Sequence, residues 1–112
     1  MGQDLPVSNL LRLDTVKDIK EVIAVEAVVL VEFGADWCIP CKRFEPHFER
    51  FANLHSAVAC VKVDIGVDPA VQSEYKIKSV PQVMLFVNGQ YSKHVDGRTV
   101  LQLENELSEH FS

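Results

Sequence analysis

Two cysteines three residues apart sit in the run Val31-Glu32-Phe33-Gly34-Ala35-Asp36-Trp37-Cys38-Ile39-Pro40-Cys41-Lys42, which passes from an apolar strand pattern into a helix start. Two thiols at this spacing can exchange electrons with a disulfide. At the first turn of a helix, Cys38 would have its sulfur near unpaired backbone N–H groups and the positive end of the macrodipole, which favour thiolate over thiol. Cys41, three residues on and on the same face, could then attack a mixed disulfide formed by Cys38 and release the reduced partner. Pro40 suits a first helical turn, where a missing N–H costs little, and Lys42 with Arg43 adds positive charge that also favours the thiolate.

The same spacing occurs in half of a zinc site, and two neighbouring cysteines can also be inert core residues. Zinc needs four ligands, however. The other candidates are Cys60, His47, His55, His94 and His110, none arranged as a second close pair. Burial alone gives no reason for a proline between the two cysteines. A dithiol redox centre, without a metal, is therefore the expectation.

Elements that could position such a centre alternate along the chain. Leu10 to Leu13 reads as a short strand, and Thr15-Val16-Lys17-Asp18 as a capped helix start with Val16, Ile19 and Ile23 on one face. Ala27 to Phe33 is apolar on both faces, the pattern of a central, parallel strand. After the cysteine pair, Phe44, Phe48, Phe51 and His55 recur at helical spacing, with Pro46 expected to kink that helix. Val58 to Val63 is another strand, and Asp68-Pro69 opens a short helix carrying Val71 and Tyr75. Val83 to Val87 and Gln90 to Val95 form a hairpin about Asn88-Gly89, and Thr99 caps a last helix with Val100, Leu103, Leu107 and Phe111 inward. The order is β-α-β-α-β-α-β-β-α, a mixed sheet with helices on both faces.

Composition narrows the function further. The chain has 112 residues, enough for one domain with a modest core, and a net charge of -5. With no basic cluster beyond Lys42-Arg43, nucleic acid and anionic membrane surfaces are poor partners. The longest apolar run, Ala27 to Val31, is too short to span a membrane, and Met1-Gly2-Gln3-Asp4-Leu5-Pro6 has no secretory character. A reducing, cytoplasmic location is expected, or an organelle if a transit peptide has been removed. Three cysteines is an odd number for a disulfide framework.

Taken together, Trp37-Cys38-x-Pro40-Cys41-Lys42, Pro46 in the following helix and Val80-Pro81 before a strand resemble the thioredoxin family in residue type and spacing. The resemblance covers residues 1–112 as a single domain and implies the thioredoxin fold: α/β, with a central mixed β-sheet flanked by helices on both faces. It implies a cis Val80–Pro81 peptide beside the two sulfurs. It also implies a contact surface of Trp37, Ile39, Pro40, Val80, Pro81 and, in the Asp96-Gly97 loop, Gly97. Protein disulfides would be the substrates and a thioredoxin-reductase-type donor the source of electrons, with no cofactor beyond the Cys38–Cys41 disulfide. The chain would act as a monomer or weak dimer.

Glu32 interrupts an apolar strand, and an unpaired buried carboxylate raises its pKa. It stands where the family usually has aspartate, thought to take the proton of the second cysteine, and Lys62 matches a lysine near that acid. The bland alternatives are a structural Glu32–Lys62 ion pair or a solvent-facing Glu32. Ile39 replaces a common glycine, Gly34 a common aromatic, and Gln82 a frequent threonine. Cys60 reads as a small buried hydrophobe, His47 and His55 as lying on the outer or flanking surface of the active-site helix, and His94 and His110 as solvated. The leading expectation is a thiol-disulfide oxidoreductase that reduces protein disulfides. An oxidase or isomerase on the same fold, favoured if Ile39 raises the potential, and a non-catalytic binding module are the alternatives. Glutathione chemistry of glutaredoxin type fits the Trp37 motif less well, and an iron–sulfur protein bridging two chains through Cys38 is a further alternative that a purified protein without a visible absorbance band excludes.

Overall fold

The computed structural model describes residues 8–111, so the N-terminal segment Met1 to Pro6 read above for a leader lies outside the described residues. Five strands form one sheet: β1 (Leu10–Arg12), β2 (Val28–Gly34), β3 (Ala59–Asp64), β4 (Gln82–Val87) and β5 (Gln90–His94). The helices are α1 (Val16–Val25), α2 (Ile39–Leu54), α3 (Pro69–Glu74) and α4 (Val100–Leu107), followed by a 3₁₀ turn at Ser108–His110. The element order is the expected one, and strand edges move by a residue or two.

Strand order across the sheet is β1-β3-β2-β4-β5. β2 is central, as its two-sided apolar pattern indicates, but it runs parallel only to β3 and antiparallel to β4. Apolar patterning reports burial on both faces and carries no information about a neighbour's direction. The β4–β5 hairpin turns at Asn88 and Gly89, both with positive φ, which is the conformation this dipeptide tolerates best.

Alternation along β2 divides the core between the two sheet faces. Val29, Val31 and Phe33 pack with Ile19 and Ile23 of α1 and Val71 of α3. On the opposite face, Leu30 meets Phe44, Phe48 and Phe51 of α2 and Leu103 and Leu107 of α4. Side chains two residues apart on a strand share a face, so Glu32 and Gly34 point with Leu30 toward α2.

Local chemistry sets the helix ends. Thr15, Asp68 and Thr99 each accept a hydrogen bond from a backbone N–H of the first turn. α2 continues through Pro46 as far as Leu54. Its buried aromatic row holds it to the sheet, and Phe44 and Phe48 stack at 5.2 Å between ring centroids.

Phe48 is fully buried, so Phe48→Ala is expected to lower unfolding free energy by about 3–5 kcal/mol. Loss of the Thr99 cap in Thr99→Ala should cost about 1 kcal/mol. Urea unfolding midpoints of the two variants check the ranking.

Candidate functional site

At the C-terminal end of β2 the chain turns through Ala35, Asp36 and Trp37 and enters α2 at Cys38. Cys38 is the N-cap: its Sγ accepts from the Cys41 N–H at 3.2 Å, and the Lys42 N–H closes the first turn on the Cys38 carbonyl. Pro40 lies within the first turn, where no intrahelical donor is lost. The two sulfurs are joined in a disulfide, with Cα atoms 5.3 Å apart.

Both cysteines are almost fully buried with Ala35, and Val80 and Ile65 pack against them. The rim is different. Trp37 is 74% exposed and Ile39 56% exposed, so two large apolar side chains project beside the disulfide. The Val80–Pro81 peptide is cis, as the resemblance implies. Pro81 faces Pro40 across a cavity of about 380 Å³ that Arg43, Phe44, His47 and Arg98 also line. Gly97 lines a separate depression with Gln102 and Glu106, and its neighbour Arg98 is the residue that reaches the Pro40–Pro81 cavity.

Behind the disulfide, Glu32 is fully buried, which removes the solvent-facing alternative. Neither of its carboxylate oxygens has a hydrogen-bond partner among the described residues. Its strand neighbour in register is Lys62, in turn paired with Arg12, so an acid and two cations form a row across β2, β3 and β1. The alternative of a direct Glu32–Lys62 ion pair is not formed among the described residues. The Lys62 ammonium instead donates to Glu45 Oε1, and Arg12 reaches Glu45 Oε2 at 2.9 Å.

Glu45 was missed from sequence, although it lies one helical turn after Cys41, on the same face of α2. The available signal was its position four residues after Cys41 and beside the buried row of Phe44, Phe48 and Phe51. Burial pushes the Glu32 carboxyl up to about 7, with Lys62 opposing and the Glu45 charge reinforcing the rise; Arg98 and Arg12 oppose more weakly. Glu45 moves the other way, because the Lys62 hydrogen bond holds it below the usual carboxylate value.

Gly34 explains how the longer acid fits. A Cβ there would lie 2.8 Å from Glu32 Oε2 and 3.1 Å from Cys41 Sγ, so the carboxylate and the second sulfur flank the same small volume. A cavity of about 250 Å³ leads to this point from solvent, lined by Gly34, Cys41, Lys42, Glu45 and Lys62 among others.

Elsewhere, Cys60 is a buried free thiol, pushed up to about 12 by burial, and fits the inert reading. His55 departs from the surface placement. It caps α2, bonds Glu104 at 2.6 Å and packs on Phe51 and Phe111. His94 is exposed and bonds Gln82 and Tyr91, and His110 is partly buried near Glu109. Among the described residues, no group of three or more His, Cys, Asp or Glu side chains is placed to hold a metal ion. No helix among them is long and apolar enough to cross a membrane.

Known proteins share this sequence pattern at the level of family and this fold. The thioredoxin family model matches residues 12–109. A thioredoxin from Rickettsia bellii is 38% identical over 91 residues, covering 80% of this chain and 84% of the relative. Thioredoxin-1 of Schizosaccharomyces pombe is 31% identical over 90 residues, covering 80% and 87%. The structure of a point-mutant thioredoxin from Halobacterium salinarum superposes with a TM-score of 0.82 at 29% identity, covering 92% of this chain and 91% of that one. The chain belongs to the thioredoxin family. It has the thioredoxin fold, and its Cys38–Cys41 pair makes it a dithiol oxidoreductase of thioredoxin type, a protein-disulfide reductase.

Two predictions concern the buried acid. In folded protein Glu32 keeps its proton up to pH about 7, whereas in the unfolded chain it loses it near 4.5. The folded state therefore binds more protons between those values, and stability should fall by about 3 kcal/mol as pH rises through that window. Glu32→Gln should lack this decline, which urea unfolding of both proteins from pH 4 to 8 would show. In Glu45→Gln, Lys62 is released toward Glu32 and a repelling charge disappears, so the Glu32 pKa should drop below its native value. NMR titration of the Glu32 carboxyl carbon measures it.

Proposed function

We propose that the protein carries electrons from a thioredoxin-reductase-type donor to protein disulfides, with Cys38 as nucleophile and Cys41 as resolving thiol. The observation that carries this reading is the Cys38–Cys41 pair at the start of α2 with, behind the second sulfur, a buried carboxylate that has no hydrogen-bond partner among the described residues.

In the reduced protein, the Cys38 thiolate attacks one sulfur of the substrate disulfide. A Cys38–substrate bond forms, the substrate S–S bond breaks, and the departing thiolate takes a proton. Cys41 then loses its proton and attacks Cys38 Sγ. The protein disulfide closes, the second substrate thiol leaves, and two electrons have passed to the substrate.

Glu32 is the proposed acceptor for the Cys41 proton. An acid whose pKa burial lifts to about 7 exchanges protons near neutrality without a strong bias either way. Its place beside Cys41 supports the role, and the cavity past Gly34 gives the proton a route to solvent. Lys62 acts on this acid through the field of its charge while bonded to Glu45. Trp37, Ile39, Pro40, Val80, Pro81 and the Gly97 loop form the proposed docking surface. Support comes from the exposure of Trp37 and Ile39 and from the meeting of Pro40 and Pro81 at one cavity.

A reducing compartment such as the cytoplasm suits a chain whose third cysteine stays free and whose one disulfide is the reactive pair. The reaction needs no cofactor beyond that disulfide.

Cys38→Ser should abolish reduction of a disulfide peptide, whereas Cys41→Ser should accumulate the mixed disulfide, seen as added peptide mass. Glu32→Gln should slow turnover by about tenfold or more and flatten its pH profile near 7. A potential for the Cys38–Cys41 couple near about -270 mV supports the reductase, and one near about -180 to -120 mV an isomerase or oxidant. Failure of the two cysteines to pair at any poise would leave a binding module.

A further inference from the structure

The cavity between Pro40 and Pro81 is lined by cationic and apolar side chains. Acidic residues outnumber basic ones by 16 to 11 over the whole chain, yet Arg43, His47 and Arg98 line this cavity and no carboxylate does. The remaining lining is apolar: Pro40, Phe44 and Pro81.

Among the described residues, none of these cations forms an ion pair with a carboxylate. Arg43 and His47 are exposed and make no ion pair or side-chain hydrogen bond among the described residues. Arg98 is held by its backbone-facing edge, where Nη1 donates to the Val95 and Gly97 carbonyls at 2.9 Å each. Its guanidinium carbon sits 5.4 Å from the centre of the Phe44 ring. Nε and Nη2 have no partner among the described residues. A guanidinium fixed along one edge, with donors left over, is prepared for a planar anion such as a carboxylate.

Position says which anion. Pro40 lies between the two cysteines and Pro81 follows Val80, which packs on the disulfide. Successive residues of an extended chain are spaced at about 3.3 Å, so a segment whose cysteine meets Cys38 would carry its neighbouring side chains over this cavity.

We propose that Arg43, His47 and Arg98 form a carboxylate-recognition subsite that selects protein disulfides with an aspartate or glutamate within about two residues of the attacked cysteine. The assignment rests on the reductase reading and adds substrate class to it. Rim charges act mainly on association, so the selection appears as a rate and weakens with salt.

The test uses three disulfide peptides that differ only beside the attacked cysteine, which is flanked by Glu, Gln or Lys. Their second-order rate constants with reduced protein are measured at low and high salt. One or two exposed charge contacts correspond to a Glu-to-Lys rate ratio of about five to ten at low salt, compressed toward one at high salt. Arg43→Glu changes an exposed side chain with no partner among the described residues, and it should bring the ratio to one or below. Arg98→Gln should reduce it as well. Because the ratio is taken within each variant, changes in thiolate reactivity cancel. A ratio of one in the native protein, or the same ratio in native protein, Arg43→Glu and Arg98→Gln, would overturn the subsite while leaving the reductase intact. If none of the three peptides is reduced, the reductase reading falls and the subsite with it.

Discussion

Burying a carboxylate in a central strand is costly unless the group gives up its charge or finds a partner, and Glu32 takes the first course. Its oxygens have no hydrogen bond among the described residues, and its in-register lysine is engaged by Glu45. The surroundings of the disulfide follow from keeping this acid protonated at moderate pH yet within the field of a cation. Lys62 lies close enough to oppose the desolvation, and Glu45 limits that opposition. A direct Glu32–Lys62 bond would stabilise the ionised acid and remove its ability to exchange protons near neutrality.

The acid would have no effect on the disulfide without a rigid mount. α2 supplies it, because one element carries Cys38 and Cys41 at its start, Glu45 one turn later and the buried phenylalanines beyond. Packing of Phe44, Phe48 and Phe51 against Leu30 and Leu85 therefore fixes the distance between helix and sheet, and with it the place of Cys41 over Gly34. Phe44 serves twice, since its ring also seats the Arg98 guanidinium. A single aromatic thus links the core to the rim of the docking surface.

Most of the fold was readable because its signals are local. Caps at Thr15, Asp68 and Thr99, the Asn88-Gly89 turn and the aromatic row of α2 each depend on residues close in sequence. Glu32 and the cysteine pair were readable as departures from local patterns. What escaped depends on pairings made at long range. The engagement of Lys62 by Glu45 is decided by how α2 crosses β3, and no spacing within either element encodes it. Arg98 rather than Gly97 reaches the cavity because Gly97 is pressed against the first turn of α4, where a Cβ would stand 3.0 Å from backbone atoms of Gln102 and Leu103. His55 was misplaced for a similar reason. Its helical spacing was right, but its burial comes from Glu104 and Phe111, far along the chain.

The narrow space at Gly34 also bears on how this site can change over evolutionary time. Residues 32 and 34 share a strand face, and the longer acid occupies volume that any side chain at 34 would claim. A side chain at 34 would require the carboxylate at 32 to retract and the second sulfur to give by a few tenths of an ångström, so shortening the acid at 32 eases any later change at 34. The two positions are therefore coupled through one small volume, and the room open to a residue at 34 depends on the length and rotamer of the acid at 32.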